Sequence, residues 1–189
     1  MDKSMKGFYY IKKGPDIMRA KQVNLRQEVT RNDALMIMNW MENNEVVKYL
    51  NEDAHISSEI KQAIDRVNMY IMTHLFNREG SFFLINLSDD RPIGFLKLIR
   101  KINEAEMVIV IGDQNKWGYG IGKSSIVQGL NIAFFQWRLQ RVVAKIDKDN
   151  IRSLRAFERV GFRLEKEIGN FMHYSISMDD FIKKSLSRI

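Results

Sequence analysis

Between Gln114 and Ser125 the chain reads Q-N-K-W-G-Y-G-I-G-K-S-S, with three glycines at alternate positions between a strand-like run, Met107 to Ile111, and a strongly periodic helix. A strand, a glycine-rich turn and a helix in that order make a phosphate cradle. Glycine lets the backbone approach an anion, and the unpaired N–H groups of the helix's first turn point at it. Two familiar cradles do not fit. The P-loop, G-x-x-x-x-G-K-[ST], finds its tail in Gly122, Lys123 and Ser124, but Trp117 stands where its leading glycine belongs. The dinucleotide fingerprint G-x-G-x-x-G fails on spacing, because Gly118, Gly120 and Gly122 run G-x-G-x-G. It fails also on place, because these glycines come too late in the chain.

The acyl-CoA cradle, R/Q-x-x-G-x-G/A, is matched from Trp117 to Gly122 at every position but the first. Further on, the run N-I-R-S-L-R-A-F-E-R-V-G-F from Asn150 to Phe162 fits N-x-x-[AS]-x-x-x-[YF]-x-x-x-G-F. Alone, that second run is ordinary, since Asn150 is a good N-cap and Gly161 a good helix stop. Both motifs in order, joined by a helix and a strand, are informative. On them the chain resembles the GNAT family of N-acetyltransferases, over roughly residues 24–178.

A chain of 189 residues, 45% hydrophobic, suits one core. We expect an extension over residues 1–22, where Gly14-Pro15 interrupts any element, and a single domain over 23–189. The absence of cysteine excludes disulfides, thiolate zinc sites and a cysteine nucleophile. Acyl transfer must then be direct or pass through another residue type. The apolar run near the start is too short for a signal peptide, and no stretch reaches the 18 apolar residues of a membrane span, so a cytoplasmic protein is expected. A net charge of +7 suits an anionic ligand and equally nucleic acid, but Lys and Arg are scattered, with no block of five.

Local patterns predict a strand over Asn24–Val29, then a helix capped by Thr30 and Asp33 and running to about Asn43, with Leu35, Met38 and Met41 on one face. A second helix, Ser58 to Phe76, is predicted from the stripe Ile60, Ile64, Val67, Ile71 and Leu75. Phe82–Leu87, Pro92–Arg100 and Ala105–Ile111 read as an antiparallel meander. A helix from Gly120 to Gln136, burying Ile126, Leu130, Phe134 and Trp137, crosses over to a parallel strand, Val142–Asp147. The Asn150 helix and strands at Phe162–Lys166 and Tyr174–Met178 complete an α/β (α+β) domain. Its sheet should be mixed, mostly antiparallel and six- to seven-stranded, with helices on both faces.

The resemblance implies more. In that family the strands flanking the crossover splay, and acetyl-CoA lies in the cleft without any metal. Ile109, Val110 and Ile111 would pair with its pantetheine arm. Trp117, Gly118, Tyr119, Gly120, Ile121, Gly122 and Lys123 would hold the pyrophosphate, and Asn150, Ser153 and Phe157 would complete the site. An amine acceptor is almost wholly protonated at pH 7, so a base is needed. Glu106 matches the family's usual position for it, with Glu104 in reserve. The family's acid for the departing thiolate is a tyrosine where this chain has Phe157, so Asn150, backbone N–H groups, water or another tyrosine must serve. The W-G-x-G reading at Trp117 resembles branches that acetylate protein N-termini or polyamines, and Glu42, Glu45, Glu52 and Asp53 could supply local acidity for a polycation. Arg152, Arg155 and Arg159 share one side of their helix, suiting the CoA 3′-phosphate or an anionic partner, while His55, His74 and His173 show no metal spacing. A homodimer is compatible with the sequence. The rival readings are a catalytically weak acyl-CoA sensor, suggested by Phe157, and a basic nucleic-acid-binding domain, suggested by charge alone.

Overall fold

Thr30 and Asp33 cap one another as their spacing predicts. The Thr30 hydroxyl accepts from the Asp33 N–H (3.2 Å), and the Asp33 carboxylate accepts from the Thr30 N–H (2.8 Å), starting α1, Arg31–Met41. In this computed structural model, which describes residues 23–50, 56–66, 69–78, 80–88 and 90–187, Arg26 also pairs with Asp33 at 3.1 Å. That anchor turns Asp33 and Ala34 inward. The buried face of α1 is therefore Ala34 and Ile37, with Trp40 and Met41 packed beside them, whereas Leu35 is exposed and Met38 only half-buried. The expected Leu35–Met38–Met41 face is corrected to this one.

The first strand, β1, Asn24–Arg26, ends short of the predicted Val29, whose N–H goes to the Thr73 hydroxyl instead (2.9 Å). After a short α2, Asn44–Val47, and α3, Ile56–Arg66, the predicted long helix does not continue. The chain pairs Ile71 with Thr30, with the Met72 N–H donating to the Val29 carbonyl and the Arg31 N–H to the Tyr70 carbonyl, and only then forms α4, Thr73–Phe76. This pairing puts Met72 in the core and Ile71 at the surface, overriding the helical stripe. Val67 of that stripe, with Glu52, Asp53, His55 and residues 1–22, lies outside the described residues.

The meander forms as predicted, from β2, Ser81–Asn86, β3, Pro92–Arg100, and β4, Glu104–Ile111. Beyond it come α5, Ile121–Asn131, extended by a wider π turn over Ile132–Gln136, then β5, Arg141–Asp147, and α6, Ile151–Val160. Last are β6, Arg163–Ile168, β7, Phe171–Ser177, and a C-terminal α7, Met178–Leu186, that the periodicity did not signal. Among the described residues seven strands form one sheet in the order β1-β2-β3-β4-β5-β7-β6, all neighbours antiparallel except β4 and β5.

That exception positions the site. β4 and β5 pair only at Glu104–Arg141, Ala105–Val142 and Glu106–Val143, after which β4 stays with β3 out to Ile111 and β5 with β7 out to Asp147. The sheet therefore parts down its middle. One face is covered by α5, α6 and α7 through Ile126, Leu130, Phe134, Phe157, Val160 and Phe181, and Trp137 packs half-buried against this core. The other face is covered by α1, α2 and α3 through Ala34, Ile37, Val46 and Ile64. At the end of β4, Gly112 lies flat against the Trp40 ring of α1, where a Cβ would stand 2.2 Å from a ring carbon.

Candidate active site

Where the sheet parts, a groove of about 350 Å³ opens between the free end of β4, the glycine loop, the N-terminal turns of α6 and the segment around α2. A 3₁₀ turn, Gln114–Lys116, capped by Asp113, leads β4 into the loop. Gly118 (φ +83°) and Gly120 (φ +76°) take left-handed conformations that a side chain would strain. Gly120 starts α5 with no side-chain cap, and its carbonyl accepts from the Ser124 N–H (3.1 Å) as the first helical bond. The N–H groups of Ile121, Gly122 and Lys123 thus have no intrahelical partner, and all three residues line the groove.

Gly122 is the most telling of the three. It is helical, its φ is not positive, and a Cβ there would meet nothing within 4 Å. Neither conformation nor packing asks for glycine, so the space its missing side chain leaves is space in the groove itself. Charge points the same way: Lys116, Lys123, Arg152, Arg155 and Arg159 line the groove, against Glu45 as the one carboxylate among the described lining residues. Backbone donors and five cations are a setting for phosphate.

Trp117 spans the opening. Its indole N–H donates to the Ile111 carbonyl at 2.7 Å, and the Arg152 guanidinium lies 3.6 Å from its ring centroid, tying the end of β4 to the start of α6. One expected free acceptor for a bound strand, the Ile111 carbonyl, therefore already has a partner. Asn150 lines the groove and caps α6, its side-chain oxygen accepting from the Ser153 N–H (3.2 Å). Of the residues that the resemblance implies for the cofactor, Ile109, Val110, Ile111, Trp117, Gly118, Gly120, Ile121, Gly122, Lys123, Asn150 and Ser153 are brought together on the groove wall. Tyr119 is not, being 56% exposed beside it. Nor is Phe157. It is 2% exposed, edge-on to Phe162 at 4.8 Å in the core, because α6 turns its apolar positions Phe157 and Val160 to the sheet, and the expectation of a cleft-edge residue is corrected accordingly.

Glu106 and Glu104 stand outside the groove, on β4 where it is still paired with β5. Glu106, 14% exposed in its side chain, is engaged by Lys145 at 3.1 Å and Lys101 at 3.5 Å. Glu104 binds Arg141 at 2.9 Å, and Arg141 also binds Glu165. The Ser175 hydroxyl donating to Glu165, helped by Arg141, holds that carboxyl below the usual range. Tyr174, in the core beneath, donates to Glu158 at 2.7 Å, and burial together with that carboxylate pushes its hydroxyl up to about 12.

The sequence reading named Glu45 only as a source of acidity, and missed Val46, Tyr49, Leu50 and Lys116 on the groove wall. The first four belong to α2 and the turn after it, a helix of four residues, too short to show a period. No local signal marks them. Of the residues proposed to acidify an acceptor pocket, Glu42 and Glu45 are exposed, and Glu45 alone of the two reaches the groove.

A sheet parted between two parallel strands, with a glycine loop and a helix N-terminus over the gap, defines a class: the chain belongs to the GNAT acetyltransferase family, whose acetyltransferase (GNAT) domain matches residues 22–163. Among curated proteins it is 25% identical over 136 residues to an uncharacterized N-acetyltransferase, p20, of Bacillus licheniformis, covering 70% of this chain and 75% of the relative. It is 32% identical over 92 residues to the probable N-acetyltransferase YjcK of Bacillus subtilis, covering 47% and 51%. Its fold superposes with a TM-score of 0.70 on spermidine N-acetyltransferase from Vibrio cholerae, solved with CoA and spermine, at 19% identity over 85% of this chain and 98% of that one.

Proposed function

We propose that this acetyltransferase takes acetyl-CoA into the groove and transfers the acetyl group directly to a primary amine, on a small molecule such as a polyamine or at a protein N-terminus. The observation that carries this reading is the open space at Gly122 over an uncapped helix start, among five cations and one carboxylate. Bound there, acetyl-CoA supplies an activated acyl group on a thiol leaving group. The N–H groups of Ile121, Gly122 and Lys123 bind the pyrophosphate, each charge-assisted bond contributing about 1.5–3 kcal/mol. The open edge of β4 orients the pantetheine arm as an added strand would be held. Arg152, Arg155 and Arg159 bind the remaining phosphate. Glu106 takes the acceptor's proton, directly or through water, and does so by exchanging a lysine contact for the amine. Residues 23–189 act as one domain in the cytoplasm, as a monomer or homodimer.

The N-acetyltransferase names of both bacterial relatives support the reaction class. The test is thermal shift with CoA, followed by thiol release from acetyl-CoA with a panel of polyamines, amino acids and N-terminal peptides. A CoA shift with no thiol release on any amine favours the second reading, an acyl-CoA sensor, which the core position of Phe157 and the double pairing of Glu106 support. Tight RNA binding with a steep salt dependence and no CoA shift would overturn both.

A further inference from the structure

Breaking a thioester leaves an electron pair on sulfur, and catalysis of that step gains from a proton donor at the leaving group. The family resemblance locates that donor at position 157, where the structure has a phenylalanine 2% exposed and facing the core. Any other donor must stand on the groove wall. Arginine does not release its proton, and the Ser153 and Asn150 side chains are poor acids. Lys116, in the turn leading into the glycine loop, and Lys123, in the first turn of α5, stand at the end of the groove proposed to hold the phosphates. Three tyrosines fall away on geometry. Tyr174 is in the core with its hydroxyl given to Glu158, and Tyr70 and Tyr119 are 68% and 56% exposed and off the groove wall.

Tyr49 is different. It lines the groove together with Ile109, Val110 and Ile111 of the open β4 edge. It sits in the turn after α2, half-buried, between Val46, which is buried in the core on the α1 side, and Leu50, which packs against the same core. The Leu50 N–H donates to the Val47 carbonyl at 2.8 Å, closing the backbone turn that carries Tyr49. The ammonium of Lys48 lies 5.3 Å from the ring centroid, a cation–π contact that helps hold the ring in place.

We propose that Tyr49 is a catalytic residue, the general acid that protonates the departing thiolate in place of the core-facing Phe157. The inference rests on the acetyltransferase reading above. As the amine nitrogen bonds to the acyl carbon, the carbon–sulfur bond breaks with its electron pair kept by sulfur. The Tyr49 O–H proton passes to that sulfur, and the phenolate is reprotonated from water, while the amine's own proton leaves through Glu106 or solvent.

The test is Tyr49→Phe, which keeps the ring and its packing. Turnover should fall by about 10²-fold at neutral pH with the KM for acetyl-CoA and the CoA thermal shift unchanged. The deficit should shrink when the donor is an acetyl thioester of a more acidic aryl thiol, whose thiolate leaves unaided. Unchanged turnover would overturn the proposal, as would a loss of the CoA shift, or an equal deficit with both donors. If the wild-type protein shows neither CoA shift nor transfer, the acetyltransferase reading falls first and the role of Tyr49 with it. A wild-type enzyme indifferent to Tyr49→Phe overturns the role alone.

Discussion

The two halves of β4 share a strand and little else. From Glu104 to Glu106 it is zipped to β5 on one side and β3 on the other, and its outward carboxylates are stitched to Lys101, Arg141 and Lys145. From Met107 to Ile111 it keeps β3 but loses β5, and the edge so exposed borders a groove lined with cations and uncapped helix donors. The first half satisfies its own backbone and charges, and so holds the fold together. The second leaves both to be satisfied by something from outside. A functional edge inside a sheet is made by ending one pairing early while the neighbouring pairing continues.

The most damaging change should be at the open half. Gly122→Asp sets a carboxylate in the proposed phosphate site, yet Asp suits a helix's first turn and its Cβ meets no protein atom within 4 Å, so the melting temperature should hold or rise while the CoA thermal shift disappears. A retained shift would mean that this half binds no phosphate. Next, at the zipped half, Glu106→Gln should lower turnover by about 10²–10⁴ at neutral pH, with recovery as rising pH deprotonates the acceptor without help. A pH–rate profile matching wild type would hand the base to Glu104 or to water.

Phe157→Tyr asks how far the groove reaches toward α6. A hydroxyl with no partner in the core should cost about 1–3 kcal/mol, or several degrees in melting temperature, and an unaltered melt would bring position 157 back to the groove wall. Trp117→Ala should weaken CoA binding by about two- to thirtyfold, since a cation–π contact is worth roughly 0.5–2 kcal/mol and Arg152 loses its support. Calorimetry that gives the wild-type Kd would show that the stack is ornamental. The smallest effect belongs, in acid, to Glu165 of β6, which Arg141 ties to the zipped half through Glu104. Glu165 is held below its ordinary range, so its contribution is present above the unfolded value and lost as pH falls through the folded one. Ser175→Ala, which removes the largest cause of that shift, should flatten the acid limb of the melting curve by well under about 1 kcal/mol, the group being on the surface.

The parts legible in the sequence were those whose causes are local. Thr30 and Asp33, three residues apart, cap a helix whatever lies elsewhere, and so do Asn150 and Ser153. The meander follows from alternation and turns, and the glycine loop from residues that few other structures require. What escaped was decided at a distance. The stripe from Ile60 to Leu75 is a fair helix until Thr30 pairs with Ile71, a contact no window of sequence contains. The face of α1 turned because Arg26 holds Asp33. The groove wall at Tyr49 arises from a helix too short to announce itself, and the core position of Phe157 depends on how α6 lies on the sheet. The motif named that residue but not its direction.

Gly112 sits outside the groove, yet it gauges it. The helix carrying Trp40 rests directly on the backbone there, and the next few residues beyond that helix are the ones that bring Val46, Tyr49 and Leu50 to the wall. An aromatic ring has no flexible tip to swing aside, so one methyl group at position 112 would have to push α1 outward as a body. Such a variant would change the calibre of the opening without touching a single lining residue. Altered preference for the size of the acyl group or of the amine could thus be acquired from a position that a survey of the groove alone would pass over.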